Sequence, residues 1–188
     1  MKDSFDSCLD ATLLYEGGFV NNPKDPGGAT NKGITIGTLR KVGIDVDGDG
    51  DIDVIDIKML RRNDVKFIYR QFYWNPVQGD LLPKGIDLVT FDAGVMSGPS
   101  RGAKWTQIAA GVGNADGVIG PISLGKILST DDIESVIHKA CDLRLDFCKH
   151  AVNTKTGARL WPTFGKGWQN RIDKVRAAAI LMSQPKGE

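Results

Sequence analysis

The sequence predicts a mainly α-helical protein with one small β-hairpin. Apolar residues recur at helical spacing along most of the chain. Residues 19–37 break that pattern: they are rich in Gly, Pro and Asn and hold two short β-like pieces, Ala29-Thr30 and Ile34-Thr35-Ile36. No other run is long enough for a strand of a larger sheet. At 188 residues, with 41% apolar and 25% charged residues, the chain suits one domain or two small lobes sharing a core.

The elements follow in order. Ser4 to Tyr15 puts Phe5, Cys8, Leu9, Thr12 and Leu13 at helical spacing, and Gly17-Gly18 ends that helix. After the hairpin region, a short helix from Thr38 to Val42 leads into an Asp-rich loop. Asp56 to Tyr73 reads as one long amphipathic helix carrying Ile57, Leu60, Phe67, Ile68 and Phe72, stopped by Pro76 and Gly79. Asp87 to Met96 is mostly apolar, as a buried central helix is. Ser100–Ala110, Ile122–Leu128, Asp131–Val152 and Lys166–Met182 complete the helices, with Asp131-x-x-Glu134 as a capping box for the longest. Cys141 and Cys148, seven apart, fall on one core face.

Composition excludes several function classes. No apolar run approaches the ~20 residues of a membrane span. The N-terminus, MKDSFDSCLDATLL, lacks an uninterrupted apolar core, so no signal peptide is expected and the chain is expected to stay in a cytoplasm until released. Three cysteines, Cys8, Cys141 and Cys148, are an odd count, and reduced thiols are expected. The formal net charge is +1, but residues 45–56 hold six Asp and no Lys or Arg, which leaves +7 on the remainder. A basic body suits a polyanionic partner such as a bacterial envelope, though a solvated surface accounts for it as well. Basic residues are not clustered with aromatics as in a nucleic-acid reader. His138 and His150 are the two histidines, twelve apart in one helical pattern, which is not a zinc-ligand arrangement. No Cys sits in a loop or at a helix start, where a catalytic thiolate belongs.

The acidic loop carries the most specific motif. Asp45-Val-Asp47-Gly-Asp49-Gly50-Asp51-Ile52-Asp53-Val-Ile-Asp56 matches a twelve-residue EF-hand loop. Asp45, Asp47 and Asp49 stand at positions 1, 3 and 5, and Gly50 takes the sharp turn at position 6. Asp51 offers its backbone carbonyl, Asp53 a side chain or a bridged water, and Asp56 replaces the usual Glu at position 12. Six carboxylates this close repel unless a hard cation neutralises them. The expected ion is a structural Ca2+ joining two helices. A single loop argues against a paired sensor.

The candidate catalytic acid is Glu16. It ends an apolar helical run and is followed at once by Gly17-Gly18. Burial among apolar neighbours disfavours the charged form of a carboxylate, which suits a general acid. Glycoside hydrolysis also uses a second carboxylate or a positioned water. Asp25, just before Pro26-Gly27-Gly28, is the second candidate, with Thr30 or Thr35 to hold the water. Among the aromatics, Trp74 and Tyr73 at a helix end are the candidate sugar-stacking residues. Asp92, inside an apolar helix, is either a substrate contact or a buried structural acid. Asp116 to Pro121 is either a glycan-contact loop or a tight turn opening the next helix.

The run Glu16-Gly-Gly-Phe19, then Asp25-Pro-Gly-Gly-Ala-Thr-Asn-Lys-Gly-Ile-Thr35, resembles the N-terminal signature of glycoside hydrolase family 108, the phage endolysins and related N-acetylmuramidases. The likeness continues in Ile68-Tyr69-Arg70, Tyr73-Trp74, Gly79-Asp80-x-Leu82-Pro83, Phe91-Asp92 and Asp116-Gly-Val-Ile-Gly-Pro121, and it covers most of the chain outside residues 40–60. The resemblance implies a lysozyme-like fold and places the family's catalytic Glu at Glu16. The spacing of Glu16, Asp25 and Thr30 is also similar to the Glu-Asp-Thr trio of phage-type lysozymes, with one residue fewer before the Thr. Phe19 stands where the family often has Tyr. The resemblance further implies a catalytic lobe over residues 1–97 and a helical peptidoglycan-binding-like lobe over 98–188, packed as one unit. The implied function is an endolysin, monomeric and freed by a holin-like partner, held in the host cytoplasm until lysis and then acting on the wall. It would hydrolyse the β-1,4 bond between N-acetylmuramic acid and N-acetylglucosamine. A lytic transglycosylase, or a non-catalytic calcium-stabilised envelope-binding protein of the secretion-activator kind, are the alternatives.

Overall fold

The structure is a computed structural model, and it describes residues 4–21 and 28–185. Among the described residues it holds nine α-helices and one two-stranded antiparallel sheet, the mainly α class that the periodicity predicts. None of these helices is long and apolar enough to cross a membrane.

The chain forms two compact units. One is continuous, Leu9–Gln71; the other is discontinuous, Met1–Cys8 with Phe72–Glu188. Residue 98, at the boundary expected between the lobes, joins two closely packed helices of the discontinuous unit. There α5 (Ile86–Ser97) and α6 (Pro99–Ala109) cross at two glycines. A β-carbon on Gly102 would meet Thr90 O at 2.6 Å and Gly94 N at 2.8 Å, so the backbones touch. Thr90 and Thr106 hydroxyls bond across the same crossing at 2.7 Å.

In the continuous unit, α1 (Phe5–Leu13), which starts in the other unit, gives way to the Glu16 loop. Then come β1 (Thr30–Asn31), β2 (Ile34–Thr35), α2 (Ile36–Val42), α3 (Val54–Met59) and α4 (Arg62–Tyr69). The hairpin pairs Thr30 with Thr35 and Asn31 with Ile34. Its two loop residues, Lys32 and Gly33, have φ of 49° and 73°. Positive φ at both is the requirement of a type I′ turn, whose twist matches the strands. Asn31 and Ile34 face inward and are buried, and Asn31 Nδ2 donates to Ile57 O at 2.9 Å.

The single helix expected over Asp56–Tyr73 is two. Leu60 leaves helical geometry (φ −45°, ψ 117°) and Arg61 is extended (φ −83°, ψ 160°). The Asp64 carboxylate accepts the Arg61 N–H at 2.9 Å and so starts α4 afresh. Arg61 itself donates to Val46 O at 3.0 Å, which ties the break to the acidic loop. α4 runs on into a π-helical turn, Arg70–Trp74, where the chain returns to the discontinuous unit.

In that unit α5 is the hub, buried from Ile86 to Gly94, with α6, α8 (Ile133–His150) and α9 (Trp161–Ser183) packed on it, and α7 (Pro121–Leu128) connects α6 to α8 along the chain. Phe5, from the start of the chain, packs edge to face on Trp74 and Phe91, with centroids 5.2 and 6.0 Å apart. Ser4 donates to the buried Asp87 carboxylate. The N-cap of α8 is Asp132, which accepts from Ser135 N at 2.8 Å, not the expected Asp131. α9 begins at Trp161, five residues before the expected Lys166, because Pro162 in its first turn is compatible with a helix start. All three cysteines are buried thiols outside any disulfide, with Cys141 and Cys148 on one core face of α8. Burial pushes the Cys141 thiol up to about 11, which suits packing and not nucleophilic chemistry.

Candidate active site

Glu16 is half-buried, but not by the neighbours that the sequence suggested. Leu14 is 78% exposed and Phe19 40%. The crowding comes from the hairpin turn. A β-carbon on Gly33 would meet Glu16 Oε2 at 2.7 Å and Tyr69 Oη at 2.6 Å, so both oxygens converge on the bare Cα of that residue. Gly33 is thus required twice: for its positive φ, and because no side chain fits under the carboxylate. The turn is held from both sides. Lys32 N–H donates to Gly17 O at 3.0 Å, and Tyr69 Oη donates to Lys32 O at 2.9 Å. Gly17, Gly18 and Gly33 are exposed, so a bulky ligand can reach the carboxylate.

Val20 and Thr30 exchange two backbone hydrogen bonds of 2.8 Å, which adds Val20 to the open edge of the hairpin. Val20, Thr30 and Thr35 lie directly opposite one another in that order, so their side chains share the face turned away from Asn31 and Ile34. The Thr35 hydroxyl caps α2, accepting from Thr38 N at 3.1 Å. Thr30 is half-buried beside it. Asp25 lies outside the described residues.

Tyr69 was singled out in the sequence only as an aromatic within a motif. It is 1% exposed, and its hydroxyl, not its ring face, does the work at the Glu16 site. The bond spans 37 positions, so spacing alone could not reveal it.

In the discontinuous unit Trp74 does not take its expected role, and Asp92 takes the structural one of its two. Trp74 is fully buried, edge-on to Phe5 and Phe91, and its indole N–H donates to Asp80 Oδ1 at 2.9 Å. It is a core residue with no face for sugar. Asp92 is also fully buried, and Arg144 NH1 (2.7 Å) and Arg171 NH2 (2.8 Å) close on it. Burial pushes its carboxyl up, but the two guanidinium charges and their hydrogen bonds win and hold it below the usual Asp value. It is a structural ion pair, out of reach of substrate. Tyr73 is half-buried. The Asp116–Pro121 segment is a turn tied from within. Buried Gln107 accepts from Gly117 N at 2.7 Å, and its amide nitrogen reaches Asp116 Oδ1, Val118 O and Ser123 Oγ at 2.8–3.1 Å.

A family model described as glycosyl hydrolase 108 matches residues 9–98. That span includes Glu16, the hairpin and Tyr69. A solved structure of Brucella abortus SagA is 37% identical, with a TM-score of 0.77 over 99% of this chain and 99% of that one. The chain belongs to the glycosyl hydrolase 108 family. Comparison with curated proteins gave no match. As a glycosyl hydrolase 108 member it is a glycoside hydrolase of the peptidoglycan-cleaving kind.

The acidic loop lies inside the stretch matched by the glycosyl hydrolase 108 model. Its carboxylates form two groups, Asp45-Asp47-Asp49 and Asp51-Asp53-Asp56, with the oxygens of each group within 4.8 Å of one another. All are hard oxygen donors, the set that calcium prefers. Partial desolvation and the charges of Asp49, Asp56 and Asp45 hold the Asp47 carboxyl above its ordinary value, against a backbone bond from Asp49. The Asp49 charge, then desolvation, do the same to Asp51. Asp56 differs. It is buried, and burial alone would raise its pKa. Its Oδ1 accepts from Val46 N (2.6 Å) and its Oδ2 from Asp53 N (2.7 Å), and these bonds lower the pKa overall. Asp56 therefore latches the two ends of the loop together as well as standing at position 12.

Proposed function

We propose that the protein is an N-acetylmuramidase that hydrolyses the β-1,4 bond between N-acetylmuramic acid and N-acetylglucosamine, with Glu16 as general acid. The observation that carries this reading is the Glu16 carboxylate lodged over the exposed, side-chain-free turn at Gly33, beside the Tyr69 hydroxyl. A proton on Glu16 passes to the glycosidic oxygen as the bond to the sugar C1 breaks, and water supplies the new C1 oxygen. Asp25 is the carboxylate assigned to that water or to the oxocarbenium-like state. Thr35 already caps α2, which leaves Thr30, on the same face, as the hydroxyl that orients the water. In this reading the chain is a monomeric endolysin: a holin-like partner frees it from the host cytoplasm to the wall.

The same reading places a structural Ca2+ in the acidic loop. Asp45, Asp47, Asp49 and Asp53 would hold it by side chains and Asp51 by its carbonyl, with Asp56 at the exit. Bound there, the ion supplies charge neutralisation and no step of the hydrolysis.

The test is digestion of purified peptidoglycan by wild type and Glu16→Gln, with mass analysis of the products. Hydrolysed muropeptides from wild type and none from the variant are expected. Full activity in Glu16→Gln refutes the assignment. Products lighter by one water identify a lytic transglycosylase instead. An unchanged biological effect of the variant identifies a non-catalytic envelope-binding protein.

A further inference from the structure

Lys32 stands where the turn chemistry does not favour it. It is the first loop residue of the hairpin, at a φ of 49°. A type I′ turn prefers Asn, Asp or Gly there, because other side chains crowd their own backbone at positive φ. Gly33, the second loop residue, is explained by the Glu16 carboxylate over its Cα. The fold gives no such reason for a lysine at 32. Its N–H bonds Gly17 O and its carbonyl accepts from Tyr69 Oη, but these are backbone atoms, which another residue would supply as well. Its side chain is half-buried, and its ammonium has no ion-pair or hydrogen-bond partner among the described residues.

The place of this cation narrows its use. Lys32 is bonded to Gly17, the residue after Glu16, and precedes Gly33, which lies under the Glu16 carboxylate. Gly17, Gly18 and Gly33 are exposed, so a ligand that reaches Glu16 passes over this turn. Across residues 13–20 and 29–37, which carry the acid and the hairpin, Glu16 and Lys32 are the two charged residues. A strained conformation kept beside a candidate catalytic acid points to work done by the side chain. An ammonium on a flexible four-carbon stem pairs with a carboxylate. The wall strand offers carboxylates on its stem peptides, and on its lactyl groups where those peptides have been removed.

We propose that Lys32 is a specificity-determining residue of the Glu16 site: its ammonium binds a carboxylate of the peptidoglycan strand and so favours that strand over a neutral glycan. The identity of the ligand rests on the muramidase reading; the placement of the cation rests on the geometry of the turn alone.

The test uses full-length Glu16→Gln protein, so that the ligand is not digested. Calorimetric titration compares this parent with Lys32→Asn and Lys32→Arg in the same background, each with its melting curve. The ligands are soluble strand fragments with stem peptides, the same fragments with their carboxyls amidated, and peptide-stripped strands. Asn suits the turn, so Lys32→Asn is expected to melt no lower than the parent. It is expected to bind peptide-bearing fragments roughly tenfold more weakly and to match the parent on amidated ones, while Lys32→Arg keeps most of the affinity. A loss repeated on stripped strands assigns the lactyl carboxylate, and a loss confined to peptide-bearing fragments assigns the stem. Equal binding by parent and Lys32→Asn, or none by either, overturns the proposal. An equal loss on amidated fragments overturns it too, since Lys32 then acts by shaping the turn. Digestion by protein with native Glu16 separates the two ideas. Digestion with Lys32→Asn binding unchanged sinks the role of the cation and keeps the muramidase. Weakened Lys32→Asn binding without any digestion keeps that role and sinks the muramidase.

Discussion

Replacing Gly33 by Ala tests the geometry around Glu16 most directly. The new β-carbon would sit 2.7 Å from Glu16 Oε2 and 2.6 Å from Tyr69 Oη, well inside contact distance, so both side chains must move. Two costs arise. An L-residue at a φ of 73° costs about 1–2 kcal/mol. Displacing Tyr69 from Lys32 O forfeits a hydrogen bond worth about 1 kcal/mol, and more if the hydroxyl is left unpaired. Gly43 separates these costs, because it has the same φ of 73° but nothing within 4 Å of its would-be β-carbon. Gly43→Ala therefore pays for backbone strain alone. Gly33→Ala is expected to be about 1–2 kcal/mol less stable than Gly43→Ala by urea titration. Its peptidoglycan-clearing rate is expected to fall by roughly a hundredfold, the usual consequence of a ~1 Å misplacement. Gly43→Ala should clear peptidoglycan at the wild-type rate. If the two variants match in stability and both clear normally, the carboxylate does not depend on that turn.

Further outcomes follow from other sites. Asp92→Asn leaves two guanidinium groups facing a neutral amide in the core and should cost about 3–5 kcal/mol, read by thermal melting. Because the Asp92 carboxyl is held below its usual value in the folded protein, its contribution is full above about pH 4 and is lost as pH falls through the lowered value. Wild type should thus lose stability on acidification below that point, and the variant should lack that step. Calcium at about a hundred times its dissociation constant should stabilise the fold by about 2.7 kcal/mol. Excess chelator should then lower Tm by roughly 5–10 °C, and an unchanged melting curve would count against a metal in the acidic loop. Gln107→Ala should cost about 2–3 kcal/mol by untying the Asp116–Ile119 turn, with little change in the rate on short soluble glycans.

The parts of the fold legible in the sequence were those set by local rules. Helical spacing located most helices to within a few residues, and the Gly-, Pro- and Asn-rich stretch 19–37 with its two short β-like pieces marked the hairpin region. The break at Leu60-Arg61 was hidden because no Gly or Pro marks it. The apolar stripe continues through it, and the Asp64 cap acts on a residue that propensity would keep helical. At the site, Glu16 was legible as an acid beside glycines. Its true neighbours were not, since Tyr69 and Gly33 reach it only through folding. Trp74 misled for the same reason, and the two readings of Asp92 could not be told apart. Partners of Asp92 lie 52 and 79 positions away, and a buried ion pair looks like a functional acid until they are seen.

The two units also set an order of events during synthesis. The continuous unit is complete in sequence at Gln71 and can close around Glu16 while translation continues. The discontinuous unit cannot. Its Phe5 precedes the ring it packs on, Phe91, by 86 positions, and α9 ends only at Ser183. At 5–20 residues per second the stretch from Gln71 to Ser183 takes on the order of ten seconds, during which Phe5 waits without its partner rings. Truncating Phe5 to Ala would therefore injure the helical half made last, not the half that carries the acid.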